Sequence, residues 1–391
     1  MKLSPRFFGL CWLIFATFSF ETLAATSSAK ILLFGDFGTG LEDQALVADD
    51  MAKFCQAKTC DFAITTGDNI YPRGVENLKN GKVDYDNGEP NYQIIKDIFV
   101  NFYQKFNMPF YMSYGNHDVG NEGPISIFKD LIKSDKFLKK RTIALMRNQV
   151  AFSNNKDNPA VLDGLGRPSR LWYFPDIYYK SDEKGGVNLY SIDTNTYPHR
   201  PLNQTNDAIH EKEKNFEQDT WLNANLMKTT GWKMVFGHMP LYSHGLHGWM
   251  ESSSIKDFRK AIIDTLCSNK VDFYISGHDH HLEVDKHECD NGHVIVSVLT
   301  GAAAKRGRIY KSSFPIFSSE TNLLWGNGIH YTGDKSVYTD DAHALGFSYL
   351  DIIDANKAQL TMKQTIGNSN TRSDGCFEIS KGKAITKIPC K

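Results

Sequence analysis

Five stretches of this chain end an apolar run with glycine and follow it with a residue able to hold a metal. The most informative is Gly67-Asp68-Asn69-Ile70-Tyr71, which follows the run Phe62-Ala63-Ile64-Thr65-Thr66. That run predicts a buried strand. A strand ending in Gly-Asp releases a carboxylate at its carboxyl edge, where open α/β sheets place their ligands. Its two free oxygens can bridge two cations, and a tyrosine three residues on can add a phenolate. Oxygen donors of this kind suit hard cations, ferric iron among them. The other four stretches are Gly35-Asp36-Phe37-Gly38, Gly115-Asn116-His117-Asp118, Gly237-His238-Met239-Pro240 and Gly277-His278-Asp279-His280. Any one of them alone reads as an ordinary turn. Five together do not, because a glycine turn does not require Asp, Asn or His to follow. His280 points the same way as His278 in an extended segment, so the pair can straddle two metals.

The elements that must carry these junctions follow from periodicity. Lys30 to Phe34 reads as a strand, Leu41 to Phe54 as an amphipathic helix, and the next strand runs into Asp68. This βαβ unit implies parallel strands. Residues 74–91 read as a loop, Ile94 to Phe106 as a helix and Met108 to Tyr114 as a strand. Further strands end at Asp193, Gly237, Gly277 and Gly301, with helices over Asn215 to Met227 and Ile255 to Cys267. Residues 302–342 read as irregular, and Leu345 to Ile352 and Gln359 to Thr365 as closing antiparallel strands. Because the candidate ligands span Asp36 to His280, one domain (26–366) must hold most of the chain. A polar, cysteine-bearing tail (367–391) follows it.

Composition narrows the classes. The chain has 391 residues and a formal net charge of -1, which leaves no electrostatic footprint for nucleic acid. Lys2 and Arg6 precede an apolar run from Phe7 to Phe20, with Ala24 and Ala25 after it. This predicts a secretory signal peptide over 1–25. The run is shorter than the roughly 20 residues of a spanning helix, so no stable membrane insertion is expected after cleavage. The expected location is secreted or periplasmic. Six cysteines remain in the mature chain, and export favours disulfides. Pairing of near neighbours would give Cys55–Cys60, Cys267–Cys289 and Cys376–Cys390.

Taken in order, Asp-x-Gly, Gly-Asp-x-x-Tyr, Gly-Asn-His-Asp, Gly-His-x-Pro and Gly-His-Asp-His resemble the five motifs of purple acid phosphatases. These are calcineurin-like metallophosphoesterases. The likeness is nearer to the small, tartrate-resistant type, and it runs from about Lys30 to Thr365. It implies a four-layer α/β/β/α sandwich with two mixed sheets. It also implies that Asp36, Asp68, Tyr71 and His280 hold Fe(III). Asp68, Asn116, His238 and His278 would hold a divalent metal (Fe, Zn or Mn), with Asp68 bridging. The wider superfamily usually has a histidine where this chain has Gly38, and Tyr71 is available instead.

The implied activity is hydrolysis of phosphate monoesters, and conceivably anhydrides, by a metal-bound hydroxide at the binuclear centre. Its substrates would be small phosphorylated compounds, with phosphoproteins a further option. His117 and His247 are the candidates for holding phosphate oxygens or protonating the leaving group, and His244 competes with His247. Asp118 and Asp193 are candidates for orienting ligands. His281 is expected to point away from the metals. Lys305, Arg306 and Arg308 could meet an anionic substrate or form a solvated loop. Two rival readings stand beside this one. One is an exported phosphodiesterase or nucleotidase with two divalent metals, and the other is a non-catalytic metal- or phosphate-binding scaffold.

Overall fold

The computed structural model describes residues 28–121, 135–195, 217–307, 309, 322–327, 329–332, 335–338, 344–366 and 374–390. The first apolar run is strand β1 (Ala29–Phe34), followed by helix α1 (Glu42–Lys58) and strand β2 (Phe62–Thr65). β1 and β2 are parallel, with Ile31 opposite Phe62 and Phe34 opposite Thr65. Two short parallel strands, β3 (Phe110–Tyr111) and β4 (Trp172–Tyr173), extend the sheet past β2. Between them lies helix α2 (Asp135–Phe152). Next come β5 (Tyr179–Glu183), β6 (Val187–Ser191), α3 (Glu217–Met227), β7 (Trp232–Phe236), the short α4 (Leu246–Met250) and α5 (Ser252–Ser268). They are followed by β8 (Phe273–Ser276), β9 (Leu282–Glu288), β10 (Val294–Thr300) and β11 (Leu323–Gly326). Four antiparallel strands close the chain: β12 (Leu345–Ile352), β13 (Lys357–Ile366), β14 (Gly375–Ser380) and β15 (Ala384–Ile388).

These strands form two mixed sheets. One has the order β15-β14-β13-β12-β1-β2-β3-β4, the other β5-β6-β7-β8-β10-β9-β11. Side-chain alternation assigns the layers. In the second sheet Leu189, Met234, Phe236, Phe273, Ile275, Val296 and Val298 join the core that contains the first sheet. Their neighbours Tyr190, Val235, Tyr274 and Ile295 pack instead with Leu222 and Leu226 of α3 and Ile255, Phe258, Ile262 and Leu266 of α5. The strands are therefore apolar on both faces, as sheets covered on both sides must be. Each fully buried large side chain contributes roughly 1.5–3 kcal/mol through burial. On the outside of the first sheet, Phe34 packs on Tyr103 and Phe110 at ring separations of 5.4 and 5.9 Å. The result is the expected α/β/β/α sandwich.

Three local readings are revised. The strand expected over Met108 to Tyr114 pairs only at Phe110–Tyr111. Beyond it the backbone turns into the site, where the Ser113 carbonyl accepts from Asn69 Nδ2 and Ser113 Oγ donates to the Thr65 carbonyl. The irregular stretch 302–342 contributes β11, which pairs with β9 across a register shift at Val284/Asp285. Leu323-Leu324-Trp325 is too short to display alternation. Third, residues 375–388 of the segment set apart as a tail add two strands to the first sheet, burying Cys376, Phe377 and Ile379. The segment 1–25 and Arg308 lie outside the described residues. Among the described residues no helix is long and apolar enough to cross a membrane. The disulfides are Cys55–Cys60, Cys267–Cys289 and Cys376–Cys390, as nearest-neighbour pairing predicts.

Candidate metal centre

The five junctions meet at one edge. Asp36, Asp68 and Asn116 follow the carboxyl ends of β1, β2 and β3, neighbours in the first sheet. His238 and His278 follow β7 and β8, neighbours in the second. The glycines permit the close approach: a Cβ on Gly115 would lie 2.1 Å from both the backbone nitrogen and Oδ1 of Asp68. At Gly38 a Cβ would meet the Asn69 carbonyl oxygen at 1.9 Å, and the Gly38 carbonyl accepts from Tyr71 N at 2.8 Å. No larger side chain fits at position 38 here, because the loop bearing Tyr71 fills that space. Asp36, Asp68 and His278 have left-handed backbones, with φ of 57°, 51° and 72°. Non-glycine residues hold that conformation at a cost of about 1–3 kcal/mol each, and such strain clusters at functional sites.

The candidate ligands fall into two sets that share Asp68. In the first, Tyr71 Oη donates to Asp68 Oδ2 at 2.7 Å and lies 3.2 Å from Asp36 Oδ1. His280 Nε2 is 3.5 Å from Asp36 Oδ1. Both carboxylates are buried. Burial, with the Asp68 charge beside it, pushes the Asp36 carboxyl well above the usual carboxylate range. Burial acts the same way on Asp68, but His238, His117 and the Tyr71 hydroxyl outweigh it and hold that group low. Burial and the two carboxylates push the Tyr71 phenol up. Two carboxylates and a phenol this close cannot all ionise without a cation among them.

In the second set the hydrogen-bond roles can be assigned from the partners. His238 Nδ1 donates to the Thr66 carbonyl at 2.7 Å, so its Nε2 presents a lone pair. His278 Nε2 faces Glu251 Oε2 at 3.1 Å, so its Nδ1 does the same. Asn116 Nδ2 donates to the Asn121 carbonyl, which turns Oδ1 inward. The three inward atoms lie 2.9, 3.1 and 3.2 Å apart, and Asp68 Oδ1 is 3.5 Å from His238 Nε2. Four acceptors thus converge with no proton assigned between them, an arrangement that a bound cation satisfies. Burial lowers His238 to about 4 and His280 to about 3, which keeps both imidazoles neutral, the form that ligates.

The flanking histidines separate. His117 Nδ1 donates to the Pro72 carbonyl at 2.8 Å, and Nε2 is 4.0 Å from Asp68 Oδ2. The His247 ring lies 4.5 Å from His278 and 5.7 Å from His280, at the mouth of the site. Its competitor His244 is turned away, with Nδ1 2.8 Å from Glu283 Oε1. His281 is also turned away, 2.7 Å from Glu283 Oε2, and although burial lowers its pKa, Asp279 first and Glu283 second raise it to about 9. Asp118 accepts from the backbone nitrogens of Asn69, Ile70 and Gly115, tying two ligand loops together. Asp193 accepts from Asn195 and bonds through its backbone to Gln218, so it braces the loop after β6. His287 lies close to Cys267 and Cys289, but the disulfide between those cysteines leaves no thiolate there to hold a metal.

Two contributors were not read from the sequence. Glu251 bridges His247 Nδ1 at 3.0 Å and His278 Nε2 at 3.1 Å. Its signal was the i, i+4 spacing from His247, visible only once the helical region is known to begin at Leu246 rather than Ile255. Asp279 accepts from Ser243 Oγ and Gly248 N, anchoring the loop that carries His247. It stands inside the Gly-His-Asp-His motif.

Comparison with known proteins agrees with the geometry. Purple acid phosphatase 3 of Arabidopsis thaliana is 26% identical over 66% of this chain and 58% of its own length, so the chain spans just over half of that relative. Tartrate-resistant acid phosphatase type 5 of Oryctolagus cuniculus is 24% identical over 84% of this chain and 85% of its own. The purple acid phosphatase PPD1 from yellow lupin (Lupinus luteus) superposes with a TM-score of 0.57 at 16% identity, covering 91% of this chain and 54% of that one, which shows a shared fold. The calcineurin-like phosphoesterase family model matches residues 29–282, most of the chain and every candidate ligand. The chain therefore belongs to the calcineurin-like phosphoesterase family.

Proposed function

We propose that this chain is an acid phosphatase that hydrolyses phosphate monoesters at a binuclear centre of Fe(III) and a divalent metal. The reading rests on one observation above all: four inward acceptors on Asp68, Asn116, His238 and His278, beside a tyrosine hydroxyl shared by two buried carboxylates. Asp36, Asp68, Tyr71 and His280 would hold the ferric ion. Asp68, Asn116, His238 and His278 would hold the divalent one. Such a pair supplies charge neutralisation for a phosphate and lowers the pKa of water in the site, which suits acidic pH.

The protein's own groups do the rest. His247 donates from Nδ1 to Glu251, which leaves Nε2 as the face toward substrate. Burial opposes its protonation, but the hydrogen bond to Glu251 and the charges of Asp279 and Glu251 raise its pKa above the usual value. It therefore keeps a proton to give the leaving oxygen as the P–O bond breaks and water oxygen forms the new one. His117, with Nδ1 fixed on the Pro72 carbonyl, holds Nε2 on the Asp68 side of the site, where it would meet a phosphate oxygen. Disulfides and the leading segment support export, with cleavage near Ala24 or Ala25.

The test is a visible absorption spectrum with metal analysis on the purified mature protein. A broad violet-producing band that Tyr71→Phe abolishes, together with phosphate release from p-nitrophenyl phosphate at acidic pH, is expected. A protein that stays colourless after iron reconstitution and cleaves only diesters would overturn the proposal.

A further inference from the structure

The loop after β10 places a lysine at the rim of the metal centre. Gly301 N donates to the His281 carbonyl, and Gly307 N donates to the His280 carbonyl. Arg306 is committed elsewhere: Nε and Nη2 bond the two Asp43 oxygens at 2.8 and 2.6 Å. Beside these two anchors, at Gly307 under His280 and at Arg306 on α1, Lys305 lies over Tyr71. Its Nζ lies 4.3 Å from the centre of the Tyr71 ring. The hydroxyl of that ring bonds Asp68 and Asp36, so the ammonium stands one ring away from the candidate ligands. Among the described residues no carboxylate forms an ion pair with Lys305, whereas its neighbour Arg306 is paired with Asp43.

We propose that Lys305 is a specificity-determining residue. Its ammonium receives a second anionic group on the substrate, placed close to the phosphoryl group that is cleaved. The chain would then favour phosphate esters that carry a nearby carboxylate or phosphate over esters of the same size with a neutral leaving group. A residue serving only to pack on Tyr71 would not distinguish the two. A point charge on a flexible stem suits this task, because it follows an anion without demanding one geometry. The inference rests on the phosphatase reading and deepens it.

The experiment uses the mature, metal-loaded chain and two matched pairs of compounds. Rates are measured with 2-phosphoglycolate and with ethyl phosphate. Binding is measured by calorimetry with phosphonoacetate and ethylphosphonate, which cannot be hydrolysed. In the wild type the carboxylate-bearing member of each pair should be favoured. Lys305→Met should weaken phosphonoacetate binding and raise KM for 2-phosphoglycolate by about tenfold. It should leave ethyl phosphate and ethylphosphonate within about twofold, and the spectrum and metal content unchanged. Lys305→Arg should recover most of the preference. An equal change for both members of a pair, or none for either, would overturn the inference while the phosphatase reading stands. A wild type that hydrolyses neither ester would remove both.

Discussion

Removing Glu251 should slow turnover without removing the metals. Its carboxylate accepts from His247 Nδ1 at 3.0 Å and from His278 Nε2 at 3.1 Å. Hydrogen bonds to a charged partner are worth about 1.5–3 kcal/mol each. The Glu251 side chain is 35% exposed, so solvent screening puts each contact at the lower end, about 1.5 kcal/mol. Glu251→Gln keeps one acceptor oxygen and should cost about tenfold in kcat. Glu251→Ala loses both contacts and should cost up to about a hundredfold.

The pH profile gives a second readout. The His247 pKa is raised although burial works against it, and Glu251 is a principal cause. As the proposed proton donor, His247 must be protonated, so activity falls as pH rises through its pKa. Loss of Glu251 lowers that pKa, and the alkaline limb should move to lower pH in both variants. The assay is the pH dependence of kcat and KM for p-nitrophenyl phosphate, with metal content measured on the same samples. Full kcat with an unshifted alkaline limb and both metals bound would refute the role given to Glu251. Loss of the divalent ion in Glu251→Gln would show instead that the residue acts through His278.

Asp68→Asn should abolish activity and leave less than two metals per chain, because Asp68 is the carboxylate common to both ligand sets. Elemental analysis checks this, and full turnover with both metals bound would sink the assignment. A third expectation concerns stability rather than catalysis. Burial raises Asp272 to about 6, with Lys381 and Lys233 only partly offsetting it, and its Oδ1 has no hydrogen-bond partner among the described residues. The fold therefore holds that proton more tightly than the unfolded chain does. Its contribution is fully present below pH ~4 and is lost as pH rises through about 6, amounting to up to about 3 kcal/mol. Asp272→Asn should be more stable than wild type to urea at pH 7.5 and no different at pH 4. An equal difference at both values would remove the argument.

What was legible in the sequence was whatever a short stretch decides by itself. Each Gly-ligand junction is local, and the carboxyl edge of a strand fixes where its side chain emerges. Hence Asp36, Asp68, Tyr71, Asn116, His238, His278 and His280 could be collected before any contact was known. The four layers were implied only by the family resemblance, and the structure accounts for them through strands apolar on both faces. The choice between His244 and His247 was not local: it depends on Glu283 across β9 capturing one and Glu251 on the helical turn capturing the other. β11 and the β14–β15 hairpin were missed because strands of four to six residues carry too little alternation to stand out.

The positive φ at Asp36, Asp68 and His278 was equally invisible, since on the sequence alone the glycine preceding each residue accounts for the turn. It does not, because the ligand itself carries the strain. An Asp or His held there at a cost of about 1–3 kcal/mol must be retained by something the fold alone does not supply. Glycine at those three positions would relieve the backbone and remove three of the seven inward donors. The strain and the metal reading therefore account for each other. The backbone gives up stability at the three positions where a smaller residue would turn more easily but could hold nothing.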